Sequence, residues 1–163
     1  MPKAGKAKVR FVADAMLGSF ARKLRVLGFD TIYYKTGSDA GIISIAAVDR
    51  RVILTSDRQL ASRTSSGRAR AVLVSGSNDG ARLRDLKVKA KEIGLTLERG
   101  DPLCSVCNGE LAMVTKLEVA GRVPRSVESR HRLFFQCRVC RKIYWKGSHW
   151  KKLRSFERLL REV

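Results

Sequence analysis

A chain of 163 residues holds one ordinary domain, or a domain of about 100 residues with a small module attached, and leaves no room for three. Lysine and arginine number 34 against 15 acids, and the resulting +19 calls for a polyanionic partner. A 44% hydrophobic content excludes a disordered chain; no apolar run reaches the roughly 18–20 residues of a membrane span and no secretory signal is evident, so a cytoplasmic protein with no membrane partner is expected.

Residues 1–8 read as a flexible basic tail. From residue 9 to 99, short β-branched runs alternate with helical patterns, the signature of βαβ units around a mainly parallel sheet, so the fold class is α/β. The predicted strands are Val9 to Ala13, Thr31 to Tyr34, Arg51 to Thr55 and Ala71 to Val74. Leu17, Phe20, Leu24 and Leu27 make the apolar face of a first helix, with Arg22, Lys23 and Arg25 falling elsewhere and Gly28 ending it. Asp39 is expected to cap a second helix, Asp57 to start a short third one, and a fourth is expected from about Asp79 to Ile93. The segment Ser62 to Arg70 reads as an exposed loop.

Turn residues at Arg99-Gly100-Asp101-Pro102 mark a boundary, placing a second module at 100–150 and a C-terminal helix at 151–163. Both sides of the boundary are cationic, so the charge is not a detachable tail. Cys104-Ser-Val-Cys107 and Cys137-Arg-Val-Cys140 each set two thiolates on one tight turn, spaced for a structural Zn²⁺. Four thiolates fill the coordination sphere and leave no open position, so this metal should hold the fold rather than catalyse; redox pairs, an iron centre and free thiols are the competing readings. Leu111 to Val119 and Arg132 to Gln136 are expected strands of a zinc ribbon, with Gly121 to Arg132 an exposed cationic loop. The aromatic and cationic stretch Ile143 to Trp150 either stacks on unpaired bases or fills the ribbon's small core. The final helix shows Leu153, Phe156, Leu159 and Leu160 on one face, suited to docking on the body.

In so basic a chain, acids at strand ends call for explanation: Asp14 after the first strand, Asp39 beyond the second, Asp57 after the third, with Asp79 a weaker fourth. Converged, they would bind Mg²⁺ or Mn²⁺ through oxygen at a nuclease site; singly, they cap helices and make turns. Asp49 and Asp85 read as solvated helix surface.

Phe11-Val-Ala-Asp14-Ala-Met-Leu-Gly, Ala21-Arg-Lys-Leu-Arg25, Leu27-Gly-Phe-Asp30 and Ile53-Leu-Thr-Ser-Asp57-Arg-Gln-Leu60 resemble the Mut-seven-C RNase family. The paired cysteines and Tyr144-Trp-Lys-Gly-Ser-His149-Trp150 resemble the closing motif of that family's ribbon. The resemblance implies a PIN-like nuclease domain over residues 9–99 followed by a zinc ribbon, with Asp14, Asp39 and Asp57 as metal-binding acids and Asp79 only roughly placed. It implies a metal-dependent endoribonuclease; the cations and the aromatic-cationic stretch make Arg22, Arg25, Arg58, Lys142, Trp145, Lys146, His149 and Trp150 the candidate RNA contacts. The sequence departs from the family pattern at Ser19 and Ser56, where a basic residue is common, at Lys23, where Trp is common, at Ala40-Gly41, where acids often follow, and at Ser105 and Arg138, which replace prolines inside the cysteine pairs. A non-catalytic RNA-binding or ribosome-associated protein, packed on ribosomal RNA, is the alternative that the same charge allows. A DNA-binding regulator fits less well, since neither a helix-turn-helix nor a dimer zipper is evident.

Overall fold

The computed structural model describes residues 8–64, 67, 69–147 and 156–161. Four strands, β1 (Phe11–Ala13), β2 (Thr31–Tyr33), β3 (Val52–Thr55) and β4 (Arg70–Leu73), form an all-parallel sheet in the order β2-β1-β3-β4. Their side chains alternate between two cores: Phe11, Ala13, Val52 and Leu54 face one side, Val12 and Ile53 the other. Both faces are covered, which is why these strands read as unbroken apolar runs.

On the first face lie α1 (Gly18–Val26), preceded by a 3-10 turn at Ala15–Leu17, and α4 (Asp79–Glu92). They bury Leu17, Phe20, Leu24, Leu83 and Leu86 completely. Residues 156–161 are helical and add Phe156 to this core, with Leu159 and Leu160 packed against it, as the apolar face of the final helix predicts. Leu153 lies outside the described residues. On the second face are α2 (Asp39–Val48) and α3 (Arg58–Arg63), which contribute Ile42, Ala46 and Leu60.

Local caps set the helix starts. Asp57 accepts from the Gln59 amide and caps α3, as its position suggests. For α2 the expected cap is displaced by one residue: Ser38 accepts from the Gly41 amide, and Asp39 is the first helical residue, where its charge favours the helix dipole. Asn78 caps α4.

The C-terminal sheet is antiparallel, β5 (Leu111–Val114), β6 (Phe134–Cys137) and β7 (Ile143–Trp145), in sequence order. The strand expected over Leu111 to Val119 stops at 114, because Thr115 and Glu118 form a reciprocal capping box that opens α5 (Lys116–Val119). The expected exposed loop over Gly121 to Arg132 contains α6 (Arg125–Arg130), which buries no residue and so leaves no periodic apolar trace. No described helix is long and apolar enough to cross a membrane.

Candidate functional site

Sheet order creates the first site. From β1 the chain winds outward to β2 on one side and to β3 and β4 on the other, so the crossover direction reverses between β1 and β3. In open parallel sheets the crevice at such a switch point, beyond the carboxyl ends of the strands, is where ligands bind. Asp14 directly follows β1, and Asp57 follows β3 by two residues. The Asp14 amide donates to the Leu54 carbonyl at 3.0 Å, tying the two strand ends together.

A cavity of about 160 Å³ lies over this point, lined by Asp14, Asp39 and Asp57 together with Tyr34, Lys35 and Ser38. Asp14 is buried; one oxygen accepts from the Met16 amide at 2.9 Å and the other from the Thr55 hydroxyl. Asp57 accepts from the Gln59 amide at 2.7 Å, and its own amide donates to the Thr55 hydroxyl at 2.9 Å, so Thr55 positions both acids. Asp39 pairs with Arg63 at 2.8 Å. The three carboxylates share a cavity without closing into a tight shell: among the described residues, the cysteines are the one group of three or more His, Cys, Asp or Glu whose ligand atoms all lie within 4.8 Å of one another.

Asp79 does not line that cavity. It accepts from Ser19 at 2.9 Å and pairs with Lys23 at 2.8 Å and Arg82 at 2.9 Å. Burial pushes its carboxyl up, but the hydrogen bonds from Lys23, Ser19 and Arg82 outweigh that and hold it below the usual range. Asp79 therefore joins α1 to α4 as the centre of an ion-pair cluster. Asp85, expected as solvated surface, instead accepts from the Ser75 amide and Lys89, each at 2.8 Å.

The second site is the thiol cluster. Cys104 and Cys140 sulfurs lie 3.5 Å apart, Cys107 and Cys137 sulfurs 3.4 Å. Those separations are far beyond the roughly 2.05 Å of a disulfide and close to the about 3.8 Å edge of a tetrahedron with 2.3 Å Zn–S bonds. Each Cys-x-x-Cys turn is followed by a residue with left-handed backbone, Asn108 at φ 69 and Arg141 at φ 62. The Val139 and Cys140 amides donate to the Cys137 sulfur, both at 3.4 Å, and orient it. The donor set is all-sulfur and closed, which fits a structural zinc ion. With protons in place of a cation the thiols are unequal. Burial raises Cys104, but hydrogen bonds led by the Tyr144 hydroxyl bring it to about 6; at Cys140 a backbone hydrogen bond from Lys142 lowers the thiol, but desolvation and the three neighbouring thiols together push it up to about 12.

Ribbon and sheet domain are joined by Arg25, and here the expected RNA contact is corrected. Arg25 is buried, donating from Nε to the Thr31 carbonyl at 2.7 Å and from Nη1 to the Ser105 and Val106 carbonyls at 3.0 and 2.9 Å. Its charge is spent inside the first cysteine turn and cannot reach a phosphate. Asn108 works beside it, accepting from the Thr31 amide at 3.0 Å and donating to Asp30 at 2.7 Å. Asp30 in turn holds Arg51 at 2.7 Å. Nothing in the sequence periodicity marks these residues.

Of the other candidate RNA contacts, Arg22 and Arg58 are exposed on the sheet domain. Lys142 is exposed with its ammonium 5.9 Å from the centre of the Tyr144 ring, Trp145 is half-buried in β7 opposite Phe134, and Lys146 is exposed. His149 and Trp150 lie outside the described residues.

The two parts together define a switch-point α/β domain, acid-lined, carrying a ribbon whose four cysteines can hold a metal ion. The family model described as Mut7-C RNAse domain matches residues 9–156, and the chain belongs to that family. Comparison with curated proteins and with solved structures returns no match.

Proposed function

We propose that this ribonuclease-family chain is a metal-dependent endoribonuclease of the cytoplasm, cutting RNA at the cavity formed by Asp14, Asp39 and Asp57. The observation that carries the reading is their shared lining of one cavity at the β1/β3 switch point of a chain with net charge +19. An oxygen-only carboxylate set suits Mg²⁺ or Mn²⁺. When bound there, such a cation lowers the pKa of water and neutralises phosphodiester charge.

The protein's own groups have separable tasks. Thr55 and the Met16 amide fix the buried Asp14 carboxylate, and the Gln59 amide fixes Asp57. Asp39 is held to Arg63 on the more exposed wall, and Lys35 brings a cation to the rim where a phosphate enters. Asp79, committed to Lys23 and Arg82, is left out of the metal-binding set.

A second reading, a non-catalytic RNA-binding or ribosome-associated protein, is favoured by the open spacing of the three acids, which form no tight metal-ligand group. The test is incubation of labelled single-stranded and structured RNAs with Mn²⁺, Mg²⁺ or no divalent cation, beside an Asp14→Asn, Asp57→Asn double variant. Cation-dependent cutting that the double variant loses, with RNA binding retained, supports the nuclease. Tight binding without cutting by the unaltered chain supports the second reading.

A further inference from the structure

A further cavity lies at the other end of the parallel sheet from the acids. It measures about 600 Å³ and opens beside the amino ends of β1, β3 and β4, where Arg10, Arg51 and Arg70 stand. Lys8 and Arg50 also line it, and Glu98 is the one acid among the described residues of its wall. A strand of three to four residues spans roughly 10–13 Å, so this cleft is separate from the switch-point cavity.

Two of the five cations are committed: Arg51 to Asp30, and Arg10 to the Asp49 carbonyl. Lys8, Arg50 and Arg70 are exposed, and none has an ion-pair partner among the described residues. Arg50 adds an independent observation. It ends the turn after α2 with φ 52, a backbone state that glycine or asparagine adopts at less cost than arginine. Chain reversal at this point needs no cation, and the side chain contributes nothing to the core. What arginine supplies there is charge on the cleft wall. The floor is apolar, from Ala46, Ala47, Val52 and Leu95, and offers a low-dielectric surface next to the charges.

We propose that this cleft is a second nucleic-acid site, binding the phosphodiester backbone of single-stranded RNA on the side of the sheet remote from Asp14 and Asp57. It rests on RNA being the polyanionic partner, and it takes no part in cutting. Cations without base-reading partners grip the backbone whatever its sequence, so the cleft tethers a strand while another stretch of the same molecule reaches the acids.

The test measures binding of a 5′-labelled, 20-nucleotide single-stranded RNA to the full chain by fluorescence anisotropy across a salt series, without added divalent cation. The variant is Arg50→Asn with Arg70→Gln; asparagine keeps the left-handed turn, so the melting temperature should not fall. A control carries Arg84→Gln and Lys91→Gln, two exposed cations on the outer face of α4. Loss of two phosphate contacts should flatten the slope of log affinity against log salt by about 1.4 and weaken binding by about tenfold or more at low salt. An unchanged slope, an equal loss in the control, or no RNA binding by the unaltered chain would each overturn the cleft. A chain that binds through the cleft but cuts no RNA would overturn the nuclease reading and leave the cleft standing.

Discussion

Asn108 donates to Asp30 at 2.7 Å across the join between ribbon and sheet domain, from a backbone held at φ 69. One residue thus completes the first cysteine turn and docks it. Its side-chain oxygen accepts from the Thr31 amide, so the ribbon also satisfies a backbone group at the start of the edge strand β2.

The two roles of Asn108 separate by substitution. Asn108→Gly keeps the left-handed turn and deletes the dock, whereas Asn108→Ala deletes the dock and strains the turn by about a further 1 kcal/mol. Thermal unfolding should show both variants below the unaltered chain, with alanine lower than glycine. Equal melting temperatures for all three would remove the docking role.

Arg25 is the stronger strut. Arg25→Met fills similar volume but leaves the Thr31, Ser105 and Val106 carbonyls without their donor, at about 1–3 kcal/mol for a buried unsatisfied group. A loss of about 3 kcal/mol in all, or about 6–12 °C in melting temperature, is expected. RNA affinity of the folded variant at low temperature should stay within about twofold, which an RNA-contacting arginine would not allow.

Gly109 leaves room at the four-cysteine cluster. A Cβ there would lie 2.9 Å from the Cys137 sulfur and 2.9 Å from a Val139 methyl. Val139 is exposed and can move, but the sulfur is fixed by its partners. Gly109→Ala should keep the sheet domain folded while lowering metal retention by about tenfold, the low end for disturbing a ligand's surroundings. Zinc release to a chromogenic chelator measures it; release matching the unaltered protein would refute the steric account.

Asp79 gives a pH signature. Its folded carboxyl lies below its ordinary value of 3.8, so the unfolded chain binds more protons as acid is added. The stabilisation is complete above about pH 4 and is lost as pH falls through the folded value. Asp79→Asn should cost about 2 kcal/mol at pH 7. The gap should close below pH 3.8, and cutting by the folded fraction should persist. A gap that stays constant to pH 3 would show that the carboxylate charge is not what holds α1 to α4.

Much of this was legible because periodicity carries it. The β1 and β3 runs, the Leu17-Phe20-Leu24 face and the cysteine spacing each follow from burial or coordination, and the structure places them accordingly. The Thr115–Glu118 capping box was present in the sequence too, as Thr-x-x-Glu, but the apolar residues around it suggested a longer strand. Arg25 was beyond reach. On a helix wheel it groups with Arg22 and Lys23 as a surface cation, and only the arrival of Ser105 and Val106 turns its position into an interior. Asp79 was ambiguous for a similar reason, since Lys23 and Ser19 lie far from it along the chain.

That distance has a temporal meaning. The Nη1 of Arg25 meets the Ser105 carbonyl 80 positions later in the chain. At a synthesis rate of about 5–20 residues per second, Nη1 waits about 4–16 s before the Ser105 and Val106 carbonyls exist. The parallel sheet can pair meanwhile, since β1 to β4 are all made by residue 73. During that interval the α1–β2 corner presents an unshielded cation and an unpaired edge amide, and the emerging cysteine turn is what closes it.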